Sequence, residues 1–172
     1  MSGLSIVKTS IIDLETDAIV NAANQALREG SGVCGVIFKA AGPYELQKAC
    51  DAIRECPTGS AVITPGFNLK ARYVIHAVGP RWMGGKHGEP ELLYGAYSAS
   101  LTLAVKNNCR SIAFPLISAG IYGYPVDKAW CQAIQACLDF QRGNPDTDID
   151  ITFAVIDERI FETGQKILAE LK

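Results

Sequence analysis

The chain has 172 residues, a length that suits one domain, and 48% of them are apolar, enough to bury one sizeable core. Charged residues make up 20% and the net charge is −2, which excludes a grip on nucleic acid through a basic surface, because neutralising many phosphates takes many cations. A small anionic ligand stays open if backbone amides do the holding. Residues 1–8 lack the basic and long apolar regions of a signal peptide, and no apolar stretch nears the ~20 residues that span a bilayer. A cytoplasmic protein without a membrane partner is therefore expected. Cysteines at 34, 50, 56, 109, 131 and 137 form no C-x-x-C pair, and only two histidines accompany them. That pattern predicts free core thiols, with no disulfide framework, no metal site and no cofactor.

Strand-like and helix-like patterns alternate along the chain. Residues 4–8 read as a short strand and 17–22 as a buried run. A helix is predicted over 34–54. Strands rich in Val, Ile and Tyr follow at 60–64 and 73–78, and 83–90 reads as an exposed loop. The next helix, 91–107, places Leu92, Leu93, Ala96, Ala99, Leu103 and Ala104 at helical spacing. A strand at 111–115 precedes a helix at 126–141, whose first turn suits Pro125 and Asp127. A strand at 151–156 and a helix at 158–171 complete the set. Short apolar strands separated by helices predict a sheet covered on both faces. The expected fold is α/β, a three-layer α/β/α sandwich with a central mixed sheet, formed by residues 1–172 as one domain. Short connections around the first strand and the 60–78 pair predict some antiparallel pairing.

Two glycine-rich loops stand out. The first, Gly30-Ser31-Gly32-Val33-Cys34-Gly35, opens a helix, where glycines let backbone amides approach an anion. It matches G-x-G-x-x-G, but the dinucleotide reading needs that string directly after the first strand of a βαβ unit. Here residues 24–29 intervene, and no strand with an acidic end follows the helix. The second loop, Ser118-Ala119-Gly120-Ile121-Tyr122-Gly123-Tyr124-Pro125, links a strand to a helix. Either loop alone is most simply a tight turn. Two of them, each leading into a helix, make a pincer for a diphosphate. Neither ends in Gly-Lys-Ser/Thr, so triphosphate hydrolysis with Mg²⁺ is not indicated.

The string Asp17-Ala18-Ile19-Val20-Asn21-Ala22-Ala23-Asn24, the Gly30 loop and Ala40-Ala41-Gly42-Pro43 resemble the macrodomain signature. So do Cys56-Pro57-Thr58-Gly59, Ile75-His76-Ala77-Val78-Gly79-Pro80, Ala113-Phe114-Pro115 and the Ser118 loop. The resemblance runs in order over residues 6–157 and is nearest to the MacroD-type branch. Its members bind ADP-ribose, and many remove ADP-ribose from acidic side chains or deacetylate O-acetyl-ADP-ribose. The resemblance implies ADP-ribose or an ADP-ribosylated protein as partner. It assigns Asn24 to the distal ribose, where an amide can donate to and accept from vicinal hydroxyls. Gly32 to Gly35 match the loop that passes beside that ribose and the phosphates, and Ala23 joins the ligand-binding set. Ser118, Ala119, Gly120, Ile121 and Tyr122 form the second phosphate loop, Tyr122 packing on the ribose. Ser10, Ile11 and Ile156 fall at the adenine. Asn21 and His76 read as a structural hydrogen-bonder and a satisfied core histidine.

This chain departs from the pattern at four positions. Ser10 stands where the family has an Asp that accepts from the adenine amino group. Ile156, with Arg159 nearby, replaces an aromatic that stacks on adenine. Cys34 and Phe38 replace the Asp and His of the hydrolytic branch, although certain viral macrodomains resemble this chain in carrying that Cys and are hydrolytic. Asn24 and Cys34 are the candidate catalytic residues. Cys34 acts either as a nucleophile or base, or, as favoured here, through its N–H while its small side chain lets substrate sit close. Three functions compete: an ADP-ribose ester hydrolase, a reader that does no chemistry, and a binder of a non-adenine nucleotide.

Overall fold

The computed structural model describes residues 3–172; Met1 and Ser2, the first residues of the expected domain and of the leader reading, lie outside them. Six strands occur among these residues: β1 (Leu4–Lys8), β2 (Ala18–Ala22), β3 (Ala61–Pro65), β4 (Tyr73–Ala77), β5 (Ser111–Phe114) and β6 (Asp150–Val155). They form one sheet in the order β1-β6-β5-β2-β4-β3. Five helices cover it: α1 (Gly32–Ala41), α2 (Pro43–Ile53), α3 (Glu89–Lys106), α4 (Val126–Gly143) and α5 (Glu158–Leu171). This is the expected three-layer sandwich with a mixed central sheet.

The strands sort their side chains by the two-residue period of a pleated sheet. Ala18, Val20, Ile75, Ala77, Ile112, Phe114, Ile151 and Phe153 face a core shared with α3, α4 and α5. Ile19, Val74, Ala113 and Ala154 face the opposite core, under α1 and α2. Burial on both faces is why these strands read as near-continuous apolar runs.

The expected antiparallel pairing occurs at the 60–78 pair but not at the first strand, and one helix is corrected to two. Only β3 pairs antiparallel, with β4; β1 lies parallel to β6. The short connection after β1 is not a hairpin, because the partner of β1 arrives late in the chain, where Leu4–Lys8 register against Ile151–Val155. The single helix expected over 34–54 is two helices. Gly42 ends α1 at φ 108°, a conformation that favours glycine, and its N–H reaches the Phe38 carbonyl. Pro43 then starts α2, since it has no N–H to continue the first ladder.

Candidate functional site

The parallel strands β1, β6, β5, β2 and β4 send their carboxyl ends to one edge of the sheet, and a cleft of about 660 Å³ opens there. The candidate ligand positions Ser10, Ile11, Ala23, Asn24, Gly32, Val33, Cys34, Ser118, Ala119, Gly120, Ile121, Tyr122 and Ile156 line it, whereas Gly35 does not and instead backs onto the Gly30 carbonyl, 2.6 Å from where a Cβ would stand. Sheet order arranges them in a row. Ser10 and Ile11 follow β1, Ile156 follows β6, the 118–122 loop follows β5, and Asn24 follows β2. Arg159 is not among the residues that line the cleft.

The wall after β2 ends at the N-terminus of α1. Ser31, at the capping position, makes no side-chain bond to the helix. The N–H groups of Gly32, Val33 and Cys34 have no carbonyl one turn earlier to accept them, and the helix dipole adds partial positive charge at the same place. These residues line the cleft. The wall after β5 is a loop fixed by its own bonds. Gly123 N–H donates to Gly120 O at 3.0 Å and Tyr124 N–H to Ser118 O at 3.0 Å. Ser118 holds φ 70°, a left-handed conformation that costs a non-glycine residue about 1 kcal/mol. Its hydroxyl is buried without a partner among the described residues, and it is turned toward Gly79, where a Cβ would stand 2.2 Å from Oγ. Gly79 is thus the residue that lets this loop lie against the segment after β4. Trp82 N–H donates to Tyr122 O at 2.8 Å, and the Arg81 guanidinium sits 4.9 Å from the Tyr122 ring centre.

Asn24 is committed locally. Its Nδ2 donates to Arg28 O and its Oδ1 accepts from Arg28 N–H, both at 2.9 Å. Each end of an amide has capacity for one further bond, so the lock fixes the side chain without exhausting it.

Cys34 is buried, and Asn21 Nδ2 donates to its Sγ at 3.5 Å. Burial pushes the thiol up from its ordinary value, and the bonds from Asn21 and Gly30 only partly oppose it. Asn21 Nδ2 also meets His76 Nδ1 at 3.1 Å, while His76 Nε2 faces Thr64 Oγ1 at 2.9 Å and Cys50 Sγ at 3.7 Å. Burial lowers His76 to about 4, so the ring is neutral. An amide donor at Nδ1 assigns the proton to Nε2, where Thr64 accepts it. The expected structural roles of Asn21 and His76 therefore hold. Sequence reasoning saw no histidine near Cys34, whereas the sheet register places His76 beside Asn21 and so one side chain away. Phe38 is 1% exposed and packs edge-on against His76, pointing into the core rather than the cleft.

Among the lining residues that went unread, Gly79, Arg81 and Asp157 bear on the site's chemistry. Gly79 and Arg81 belong to the segment after β4, whose Gly-Pro pair carried the family pattern without an assigned role. Asp157 brings a carboxylate to the Ser10 end, where its Oδ1 caps α5 by accepting from Ile160 N–H at 3.0 Å. Its signal was an Asp directly before a helical pattern. Among the described residues, no group of three or more His, Cys, Asp or Glu could hold a metal ion. Among them, too, no helix is long and apolar enough to cross a membrane.

Comparison with known proteins agrees with this fold. The family model described as Macro domain matches residues 20–133. The chain is 52% identical over 143 residues to a Salmonella gallinarum protein named O-acetyl-ADP-ribose deacetylase, covering 81% of this chain and 79% of that one. Its fold matches the Oceanobacillus iheyensis macrodomain solved with ADP at a TM-score of 0.91 and 39% identity, over 96% of this chain and 90% of that one. The Trypanosoma brucei macrodomain in complex with ADP-ribose matches at a TM-score of 0.88 and 37% identity, over 96% of this chain and 68% of that one. Resemblance in sequence, matched family model and shared fold converge: the chain belongs to the macrodomain family.

Proposed function

We propose that residues 1–172 act as one module that binds ADP-ribose along the cleft and hydrolyses esters carried on its distal ribose. The substrates are O-acetyl-ADP-ribose and ADP-ribose esterified to an acidic protein side chain. The observation that carries the reading is the uncapped start of α1 facing the bonded loop after β5 across a cleft whose lining holds one cation, Arg81. Open amides at the start of α1, with a glycine loop close by on the other wall, suit a phosphate-bearing anion. Relatives named deacetylase and structures with ADP-ribose support the same assignment.

The row of loops orients the ligand. Adenine lies between Ser10, Ile11 and Ile156, the diphosphate between Gly32–Cys34 and Ala119–Ile121, and the distal ribose between Asn24 and Tyr122. Asn24, held by Arg28, uses its remaining donor and acceptor on the ribose hydroxyls. Cys34 supplies its N–H, and its raised thiol is a poor nucleophile. The protein contributes orientation and amide dipoles. Water is consumed, and ADP-ribose and a carboxylic acid are released.

A reader without chemistry is the second reading, favoured by one observation: neither Cys34 nor Phe38 offers an acid or base at the catalytic end. Turnover assays on O-acetyl-ADP-ribose and on mono-ADP-ribosylated protein, beside calorimetry with ADP-ribose, separate the two. Hydrolysis of either ester supports the enzyme, binding without turnover leaves the reader, and no binding refutes both.

A further inference from the structure

We propose that a second hollow, opening off the Asn24 end of the cleft, holds the acyl side of the ester, so that acyl groups larger than acetyl are the preferred substrates. The inference rests on the ligand orientation just given.

The hollow measures about 390 Å³ and shares Asn24, Gly79, Arg81 and Tyr122 with the main cleft. Asn24 and Tyr122 are the two residues that flank the distal ribose, so whatever is esterified there projects toward this space. At ~30 Å³ per water the hollow has room for about a dozen waters. An acetyl group displaces only a few of them.

Its lining describes the occupant. Met83 and Leu92 offer apolar surface over the buried Val78 and Pro80. Gln25 Nε2 donates to Thr58 Oγ1 at 2.9 Å across the same wall, so those polar groups are already paired. Glu89 also borders the hollow, yet it is 2% exposed and accepts from Met83, Gly85 and His87 N–H at 2.8, 2.9 and 2.6 Å. Its oxygens are spent on fixing the 83–88 loop, which makes that wall rigid. Cationic or ionisable groups, Arg81 and His87, contribute to the rest of the lining. An aliphatic acyl chain fits: methylenes next to the ester carbonyl meet the apolar wall, and a polar or anionic far end meets Arg81 or His87. Two sources share this chemistry, a small-molecule acyl ester and the side chain of an esterified glutamate in a peptide.

The test is a binding measurement, so it does not require turnover. Non-hydrolysable, amide-linked analogues of ADP-ribose carry acetyl, butanoyl or a glutamyl peptide on the distal ribose. Calorimetry compares each with ADP-ribose. Burying a methylene is expected to tighten binding about three- to fourfold, so butanoyl should exceed acetyl by about tenfold. Thr58→Trp and Met83→Trp, neither of which touches the main cleft, should each erase that difference while ADP-ribose affinity stays within about twofold. Met83 is 64% exposed, which keeps the second variant foldable if the first is not. A peptide analogue tighter than butanoyl identifies protein as the source, and a weaker one identifies small-molecule esters; both support the hollow. Equal affinity for acetyl and butanoyl, or a gain that survives both variants, overturns it while leaving ADP-ribose binding intact. Failure of the wild type to bind ADP-ribose overturns the underlying reading as well.

Discussion

Gly120→Glu isolates the diphosphate site from the fold. Gly120 lies on the cleft, its φ is outside the left-handed region, and a Cβ there would meet nothing within 4 Å. The substitution therefore costs the free protein little, within about 0.5 kcal/mol as for other surface changes. In the complex a carboxylate would stand beside a phosphate. At ~4 Å the repulsion is about 1 kcal/mol per charge in bulk water and about 4 kcal/mol at an effective dielectric constant near 20. Those limits span roughly a fivefold to a thousandfold loss. Gly120 and Gly32 are exposed while Val33 is half-buried and Cys34 buried, so the site lies between the two limits and a loss on the order of a hundredfold is expected. Calorimetry with ADP-ribose measures it, and circular dichroism with a thermal melt verifies the fold. Gly120→Ala serves as the uncharged control and should bind within a few-fold of wild type. Added salt should shrink the Glu penalty through screening. A folded Gly120→Glu protein that binds ADP-ribose within threefold of wild type would refute the placement of the diphosphate against this loop.

Three further predictions address the remaining parts of the site. Ser10→Asp should tighten ADP-ribose by about 1 kcal/mol, the worth of one net hydrogen bond to the adenine amino group, measured by calorimetry against an inosine-containing analogue; equal effects on both ligands would place the base elsewhere. Cys34→Ala should keep most of the hydrolase activity and Asn24→Ala should lose most of it. A dead Cys34→Ala variant that still binds ADP-ribose, in a protein silenced by thiol alkylation, would reverse these roles. The third prediction concerns acid stability. His76 titrates at about 4 in the fold against an ordinary 6.5, so protons bind the unfolded chain better. Stability should be full above pH 6.5 and fall by about 3 kcal/mol as pH drops toward 4, at 1.36 kcal/mol per unit. Urea melts across this window should show the slope, and His76→Gln should flatten it; an unchanged slope would assign the loss to other groups.

The strands were legible because each is a short apolar run bounded by turn residues, and their ends fell within a residue or two of expectation. What the sequence hid was non-local. Nothing near Leu4–Lys8 signals that its partner is Ile151–Val155, and the Gly42-Pro43 break was masked because apolar residues continue on both sides of it. The lining residues were readable through family resemblance, since glycines and Asn24 carry strong local patterns. The contact between Asn21 and His76 was not, as it depends on the parallel register of β2 and β4. Two polar residues inside two apolar runs were the available signal. Arg81 and Asp157 were passed over because each flanks a motif rather than belonging to one.

Because the strands enter the sheet out of chain order, the cleft is a row of separately anchored segments. Residues from β1 and β6 sit at one end, and those from β2 and β4 at the other, with the β5 loop between them. No backbone segment runs the length of the cleft. Substitutions at the two ends share no contact, and for groups farther apart than about 7–10 Å free-energy changes add. A base preference altered at Ser10 and an acyl preference altered at Thr58 should combine as a simple product of their separate factors. Under the proposed orientation, the same partition lets the Ser10 end and the Cys34 end of the cleft change independently, each change being felt only by its own portion of the nucleotide.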